Sequence, residues 1–173
     1  KTPQLHAMVR KYIDLYIRDE ITGYEEKSAR FRYLFGRLRT TAEDIVDRMA
    51  EELAESDFKP VAFELGFGGR DGTLPAITIQ EGDATLSVSG KVDRVDGWEH
   101  DGRLYLRVVD YKTGAPHLEF DGVESLFTGT GKQRLSNILQ TLLYSMILHH
   151  TRGCDAEPAL YYVRSMNRPD YSP

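Results

Sequence analysis

Residues 108–114 read VVDYKTG, an apolar run that ends in an acid and a base two positions apart. Successive side chains of a strand point to opposite faces, so Asp110 and Lys112 lean to one face and Tyr111 to the other. A further acid, Asp93, stands upstream in GKVDRVD (90–96), and the intervening GWEHDGRL contains Asp-Gly. That dipeptide favours a two-residue type I′ hairpin turn. With Asp101 and Gly102 as the turn, His100 faces Arg103, and the register puts Trp98 opposite Tyr105, Asp96 opposite Arg107 and Val95 opposite Val108. Each is a favourable cross-strand pair. The same register places Asp93 opposite Asp110.

Carboxylates so placed are about 5 Å apart at Cβ. They repel and raise one another's pKa unless positive charge lies between them. A hard divalent cation, Mg²⁺ or Mn²⁺, held by oxygen ligands answers that need. The chemistry would be metal-assisted hydrolysis of a phosphoryl group, with Lys112 positioning water or stabilising developing charge. The alternative is a surface Asp–Asp–Lys charge network. Leu104, Leu106 and Val108, which share Asp110's face, argue for a buried setting instead.

These residues need elements to hold them. Residues 4–21 and 25–56 carry apolar side chains at helical spacing, 58–69 read as a strand, and 85–96 and 103–111 alternate as strands do. Residues 115–130 are loop-like, 131–150 return to helical period, TRGCDAEP is a turn, and 159–165 (ALYYVRS) form a last strand. Helices, a hairpin, then helix and strand predict an α/β fold with a central mixed sheet flanked by helices. The expected division is an N-terminal helical region over 1–57 and a core over 58–173. Arg30, Arg32, Arg37 and Arg39 open the second helix; they form either a solvated face or a phosphate-contacting edge.

Composition narrows the function classes. A net charge of −5 over 173 residues gives no global basic field. The single cysteine, Cys154, excludes an internal disulfide or a cysteine-built metal site. No run approaches the roughly 18–20 apolar residues of a membrane span, so no membrane partner is expected, and the lone thiol reads as one in a reducing cytoplasm. GTGKQR (129–134) lacks the Walker pattern, because Leu126 and Gln133 stand where Gly and Ser/Thr are needed. GFGGRDG (66–72) fails GxGxxG at Asp71 and reads as a flexible loop. The opening KTPQLHAMVRKYID, without Met, reads as the edge of an excised fragment.

GKVDRVD, VVDYKTG and QTLLY (140–144), in this order and spacing, resemble the PD-(D/E)XK nuclease superfamily, and within it the RecB-like exonuclease domain of AddB-type helicase–nucleases. SARFRYLFGRLRT and SDFKPVAFELGFGG are similar to the segment that precedes the core there, so the resemblance spans about residues 28 to 165. It implies a restriction-endonuclease-like core, Mg²⁺ or Mn²⁺ as cofactor, DNA as substrate and a helicase portion or subunit as partner. It implies Asp93, Asp110 and the Tyr111 backbone carbonyl as metal ligands, Lys112 as the catalytic lysine, and Gln140 and Tyr144 as the helix motif beside the site. Glu64, in FELGFGG, matches an acidic position often found there; solvation of an edge strand explains it equally. Read without the resemblance, Gln140 and Tyr144 would be a polar helix edge with a half-buried tyrosine.

The sequence departs from the family pattern twice. The histidine motif that completes such metal sites is expected upstream of Lys1, and His6 reads as an ordinary helix residue. The four cysteines of the AddB-type iron–sulfur staple are not here, so no cluster is expected within this fragment. The leading expectation is thus a metal-dependent DNA exonuclease domain for recombination and repair. A catalytically silent DNA-binding or subunit-docking module is the alternative.

Overall fold

The computed structural model describes residues 2–69, 72–114, 122 and 134–163, with side chains in the last helix from residue 137 onward. Residues 129–133 of GTGKQR and nearly all of the 115–130 stretch lie outside them. The chain divides into two compact units, Lys1–Glu55 and Ser56–Pro173.

The first unit is a helical pair, α1 (Thr2–Glu20) and α2 (Ala29–Glu55), joined through a short 3₁₀ turn at Tyr24–Glu26. Gly23, at φ 65°, supplies the left-handed residue that lets the chain reverse after α1. Ser28 accepts a hydrogen bond from the Phe31 N–H at 3.2 Å, an N-cap for α2. Between the helices, His6 Nε2 meets Asp47 at 2.7 Å, Arg10 donates to Glu43 at 2.6 Å and Arg39 to Asp14 at 2.5 Å. His6 is a helix-pairing residue here.

The second unit is built on a four-stranded sheet in the order β1 (Lys59–Phe67), β4 (Gly90–His100), β5 (Arg103–Lys112), β6 (Asp155–Tyr162). The first three are antiparallel and β6 runs parallel to β5. A parallel neighbour requires a crossover, and α3 (Arg134–Arg152) lies in that connection. Asp101 and Gly102 both have positive φ, 50° and 73°, as a type I′ turn demands. The hairpin register is the expected one, from His100–Arg103 through Trp98–Tyr105 and Val95–Val108 to Arg94–Val109.

Three boundaries differ from the sequence reading. The run 85–96 is two strands, β3 (Ala84–Val88) and β4, parting at Ser89. Gly68, at φ 63°, packs so closely on Ser89 that a Cβ there would lie 2.7 Å from the serine Cβ, and this contact sits at the break. β3 pairs instead with β2 (Ile77–Glu81), a strand that the sequence reading passes over, around the positive-φ Gly82. Finally, β6 begins at Asp155, inside the segment read as a turn. Pro158 is tolerated in it because β6 is an edge of the sheet.

One face of the sheet packs on α3. Val95, Leu106 and Val108 join Tyr144, Ile147 and Leu148 in a single buried cluster with Phe67 and Val92. Leu104, near the turn, is exposed and takes no part. Gly90 admits this packing: a Cβ there would fall 2.8 Å from Phe67 Cζ and 3.5 Å from Tyr144 Cε1. Phe67 is fully buried, so its ring has nowhere to swing. Gly90→Ala is therefore expected to destabilise the fold by about 1–3 kcal/mol in chemical denaturation, the usual result of overpacking.

Candidate active site

The site forms where the β4–β5 ladder stops. The last paired residues are Arg94 and Val109. Beyond them β4 stays with β1, through Val92–Leu65 and Lys91–Gly66, while β5 stays with β6 through Lys112–Tyr162. The two strands thus separate one position before Asp93 would pair with Asp110. Into that opening the Asp93 carboxylate accepts a hydrogen bond from the Tyr111 N–H at 2.8 Å. The expected direct cross-strand pair is replaced by a side-chain bridge, and Asp93 still reaches the Asp110–Lys112 stretch.

Asp110 is only 3 % exposed. Lys112 Nζ lies 2.5 Å from its Oδ2, a close ion pair. Lys112 also donates to Gln140 Oε1 at 3.1 Å, and Gln140 Nε2 donates to the Tyr144 hydroxyl at 2.6 Å. The i, i+4 spacing on α3 stacks Gln140 and Tyr144 on one face. Tyr144 is held in turn by an edge-to-face contact with Phe67, ring centroids 5.3 Å apart. Lys112, Gln140 and Tyr144 therefore form one polar chain, seated on the core at its far end.

Burial pushes the Asp110 carboxyl above the ordinary 3.8, and the charge of Asp93 pushes the same way, while Lys112 opposes both. Between 3.8 and the raised value the folded chain holds a proton that the unfolded chain has released. Stability consequently falls as pH rises through that interval and stays lower above it.

The oxygens here suit a hard divalent cation. Mg²⁺ is commonly held by one or two carboxylates together with waters and substrate phosphates. Asp93 and Asp110 are such a pair, and each carboxylate oxygen of Asp110 has more than one lone pair to offer. Both polar groups of a strand residue face the same edge. The Tyr111 N–H faces β4, so its carbonyl does too, whereas the Lys112 carbonyl faces β6 and accepts from the Val163 N–H at 2.9 Å.

Not every expected residue converges. Glu64 lies on β1 in register with Asp93, but its φ of 51° breaks the strand alternation, and its exposed carboxylate pairs with Lys91 at 3.0 Å. Among the described residues, no three His, Cys, Asp or Glu side chains gather into a metal-holding group. Of the α2 arginines, Arg39 is engaged with Asp14 and Arg32 donates to the Glu25 carbonyl at 2.6 Å; Arg30 and Arg37 are exposed. All four belong to the helical unit.

Sequence reasoning assigned no part to Phe67, Gly90 or the pair Arg94–Asp96. The pair was legible: in Asp-Arg-x-Asp on a strand, Arg94 and Asp96 share the face away from Asp93. Both are fully buried, with Arg94 donating to Asp96 at 2.8 Å. Arg107 stands opposite Asp96 as expected; its side chain donates to Glu157 at 2.8 Å and lies over the Phe58 ring.

A family model for the PD-(D/E)XK nuclease superfamily matches residues 1–170. Among curated proteins, the chain is 33 % identical over 138 residues to an ATP-dependent helicase/deoxyribonuclease subunit from Desulforamulus reducens, covering 79 % of this chain and 12 % of that protein. The protein of the same description from Pelotomaculum thermopropionicum is 43 % identical over 113 residues, 64 % of this chain and 10 % of its own length. That from Bacillus pumilus is 34 % identical over 138 residues, 78 % and 11 %. The chain thus spans about a tenth of the length of these relatives. No helix among the described residues is long and apolar enough to cross a membrane.

Replacing Asp110 by Asn removes the disfavoured charge at nearly constant shape. Without divalent metal, Asp110→Asn is expected to melt above the wild type at neutral pH, with the gap closing below about pH 4. Thermal melts in chelator across a pH series provide the check.

Proposed function

This chain belongs to the PD-(D/E)XK nuclease superfamily, and from that premise we propose that it is the metal-dependent deoxyribonuclease domain of a larger ATP-dependent helicase–nuclease. In this reading it works as an exonuclease on DNA in recombination and repair, with the helicase portion or a helicase subunit feeding strand to it. The name its relatives carry, which joins an ATP-dependent helicase to a deoxyribonuclease, supports the pairing of the two activities. The observation that carries the reading is the junction of Asp93, Tyr111, Asp110 and Lys112 at the point where β4 and β5 part.

Asp93, Asp110 and the Tyr111 carbonyl would hold Mg²⁺ or Mn²⁺. Such a cation supplies Lewis acidity at a phosphoryl oxygen and lowers the pKa of water. The residues do the rest. Asp93 and Asp110 bring negative oxygens into a site whose burial strengthens their pull on a cation. Lys112 presents an ammonium with three donors, directed by Asp110 and Gln140 toward the place where phosphate charge develops. Gln140 restrains that ammonium, and Tyr144 restrains Gln140. Arg30 and Arg37 are the exposed candidates for backbone contacts.

Incubation of linear DNA and Mg²⁺ or Mn²⁺ with the larger helicase–nuclease in which this reading places the chain tests this. Release of nucleotides is expected, with Asp93→Ala, Asp110→Ala and Lys112→Ala each lowering the rate by at least about 10²-fold, as the loss of a charge-stabilising group does. Equal DNA binding by wild type and Asp110→Ala, with no cleavage by either in any divalent metal, would instead identify a silent docking module. Neutralising Arg30 and Arg37 together is expected to weaken DNA binding and reduce the salt slope by about two, measured by titration at several salt concentrations.

A further inference from the structure

The face of the sheet turned away from Asp110 carries a second polar cluster, built around Arg94. Its guanidinium donates to the Tyr111 hydroxyl at 2.9 Å and to Asp96 at 2.8 Å, and reaches the Tyr161 hydroxyl at 3.5 Å. It also lies over the rings of Tyr111 and Tyr161, 5.8 and 5.1 Å from their centroids. Those two rings meet edge-on at 5.8 Å. Arg94 is wholly buried, and its Nε has no hydrogen-bond partner among the described residues.

A cluster of this kind is a poor device for stability. Desolvating an arginine and an aspartate costs several kcal/mol each before their attraction offsets it, and apolar replacement of such a pair is often neutral or stabilising. What the cluster does supply is geometry. Asp93 and Arg94 are adjacent on β4, and both turn toward Tyr111, one to its backbone and the other to its ring end. Asp93 takes the backbone N–H of Tyr111, and Arg94 takes the hydroxyl at the far end of the same residue. Two consecutive residues thus grip Tyr111 by its two ends, immediately after the last ladder pair, Arg94–Val109. Tyr111 is the residue between Asp110 and Lys112. Its backbone can shift only if the ring moves, and the ring is pinned from behind.

We propose that Arg94 is a positioning residue of the metal site: through the Tyr111 hydroxyl, buttressed by Tyr161, it sets the Tyr111 carbonyl and the spacing of Asp110 and Lys112 from the opposite face of the sheet. This rests on the reading of Asp93 and Asp110 as metal ligands. The grip replaces the backbone ladder that is lost where the strands part, so β5 keeps its relation to Asp93 without a continuous sheet. Partners that orient ligands from one layer out typically govern metal affinity by about 10–100-fold.

Calorimetric titration of this chain with Mn²⁺, without DNA, tests the inference on three variants. Tyr111→Phe removes the hydroxyl and keeps the ring; it is expected to bind Mn²⁺ about tenfold or more weakly, with a lowered melting temperature because a buried Arg94 donor loses its partner. Arg94→Met combined with Asp96→Leu avoids a stranded buried charge; it is expected to melt near or above the wild type and still bind weakly. Wild-type affinity in both variants would overturn the positioning role, as would a loss of affinity in the double variant that merely tracks a fall in its melting temperature. Asp110→Asn separates the two levels of the argument. If it abolishes Mn²⁺ binding while Tyr111→Phe binds normally, the positioning role alone fails; if it binds like the wild type, the metal-site reading fails and the inference with it.

Discussion

Where β4 leaves β5, the sheet gives up backbone hydrogen bonds between its two central strands, and the rest of the site depends on how that loss is made good. Unpaired backbone groups in a buried sheet are costly, so something must satisfy the Tyr111 N–H. The Asp93 carboxylate does so. In filling that need it is carried into the opening beside Asp110, where a continuous ladder would have kept a row of peptide groups. β1 and β6 hold the diverging strands from outside, through Leu65–Val92 on one side and Lys112–Tyr162 on the other. The opening is a consequence of which neighbour each strand keeps.

A buried carboxylate in that opening is unfavourable by itself, since burial and the charge of Asp93 both oppose its ionisation and only Lys112 favours it. The fold tolerates this strain because the surrounding contacts overdetermine it. Lys112 is tied to Gln140, Gln140 to Tyr144, and Tyr144 is wedged against Phe67 in space that Gly90 leaves free. The polar chain thus ends on apolar packing, which is dense and hard to deform. A cation between the two acids would relieve the same repulsion, so the destabilised metal-free state and the capacity to hold metal have one physical origin.

The far face of the sheet is organised differently. Arg94 and Asp96 lie fully out of water. Asp96 holds the Arg94 guanidinium, which reaches the tyrosine hydroxyls of β5 and β6, so β4, β5 and β6 are cross-linked behind the opening as well as in front of it. The sheet at this level is held by side chains on both faces, although its ladder is incomplete.

Much of this was legible in the chain. The Asp101-Gly102 turn dictates the hairpin register because two residues at positive φ leave little choice of turn, and the period of two then carries each side chain to its face. The mixed sheet and helix crossover follow from the order of the periodic segments, and the spacing of Gln140 and Tyr144 sets them on one helix face. Local sequence could not reveal that the ladder stops at Arg94–Val109, because that depends on the competing pairing of β4 with β1. Nor could it reveal that Ser89 divides two strands, since Gly68 meets it from a segment some twenty residues earlier. Glu64 follows the pattern of an acidic site position, yet a single left-handed backbone angle and the nearby Lys91 turn it outward. Periodicity and turn chemistry are local and can be read along the chain; strand divergence, close glycine contacts and the burial of Arg94 arise only when distant segments compete for the same space.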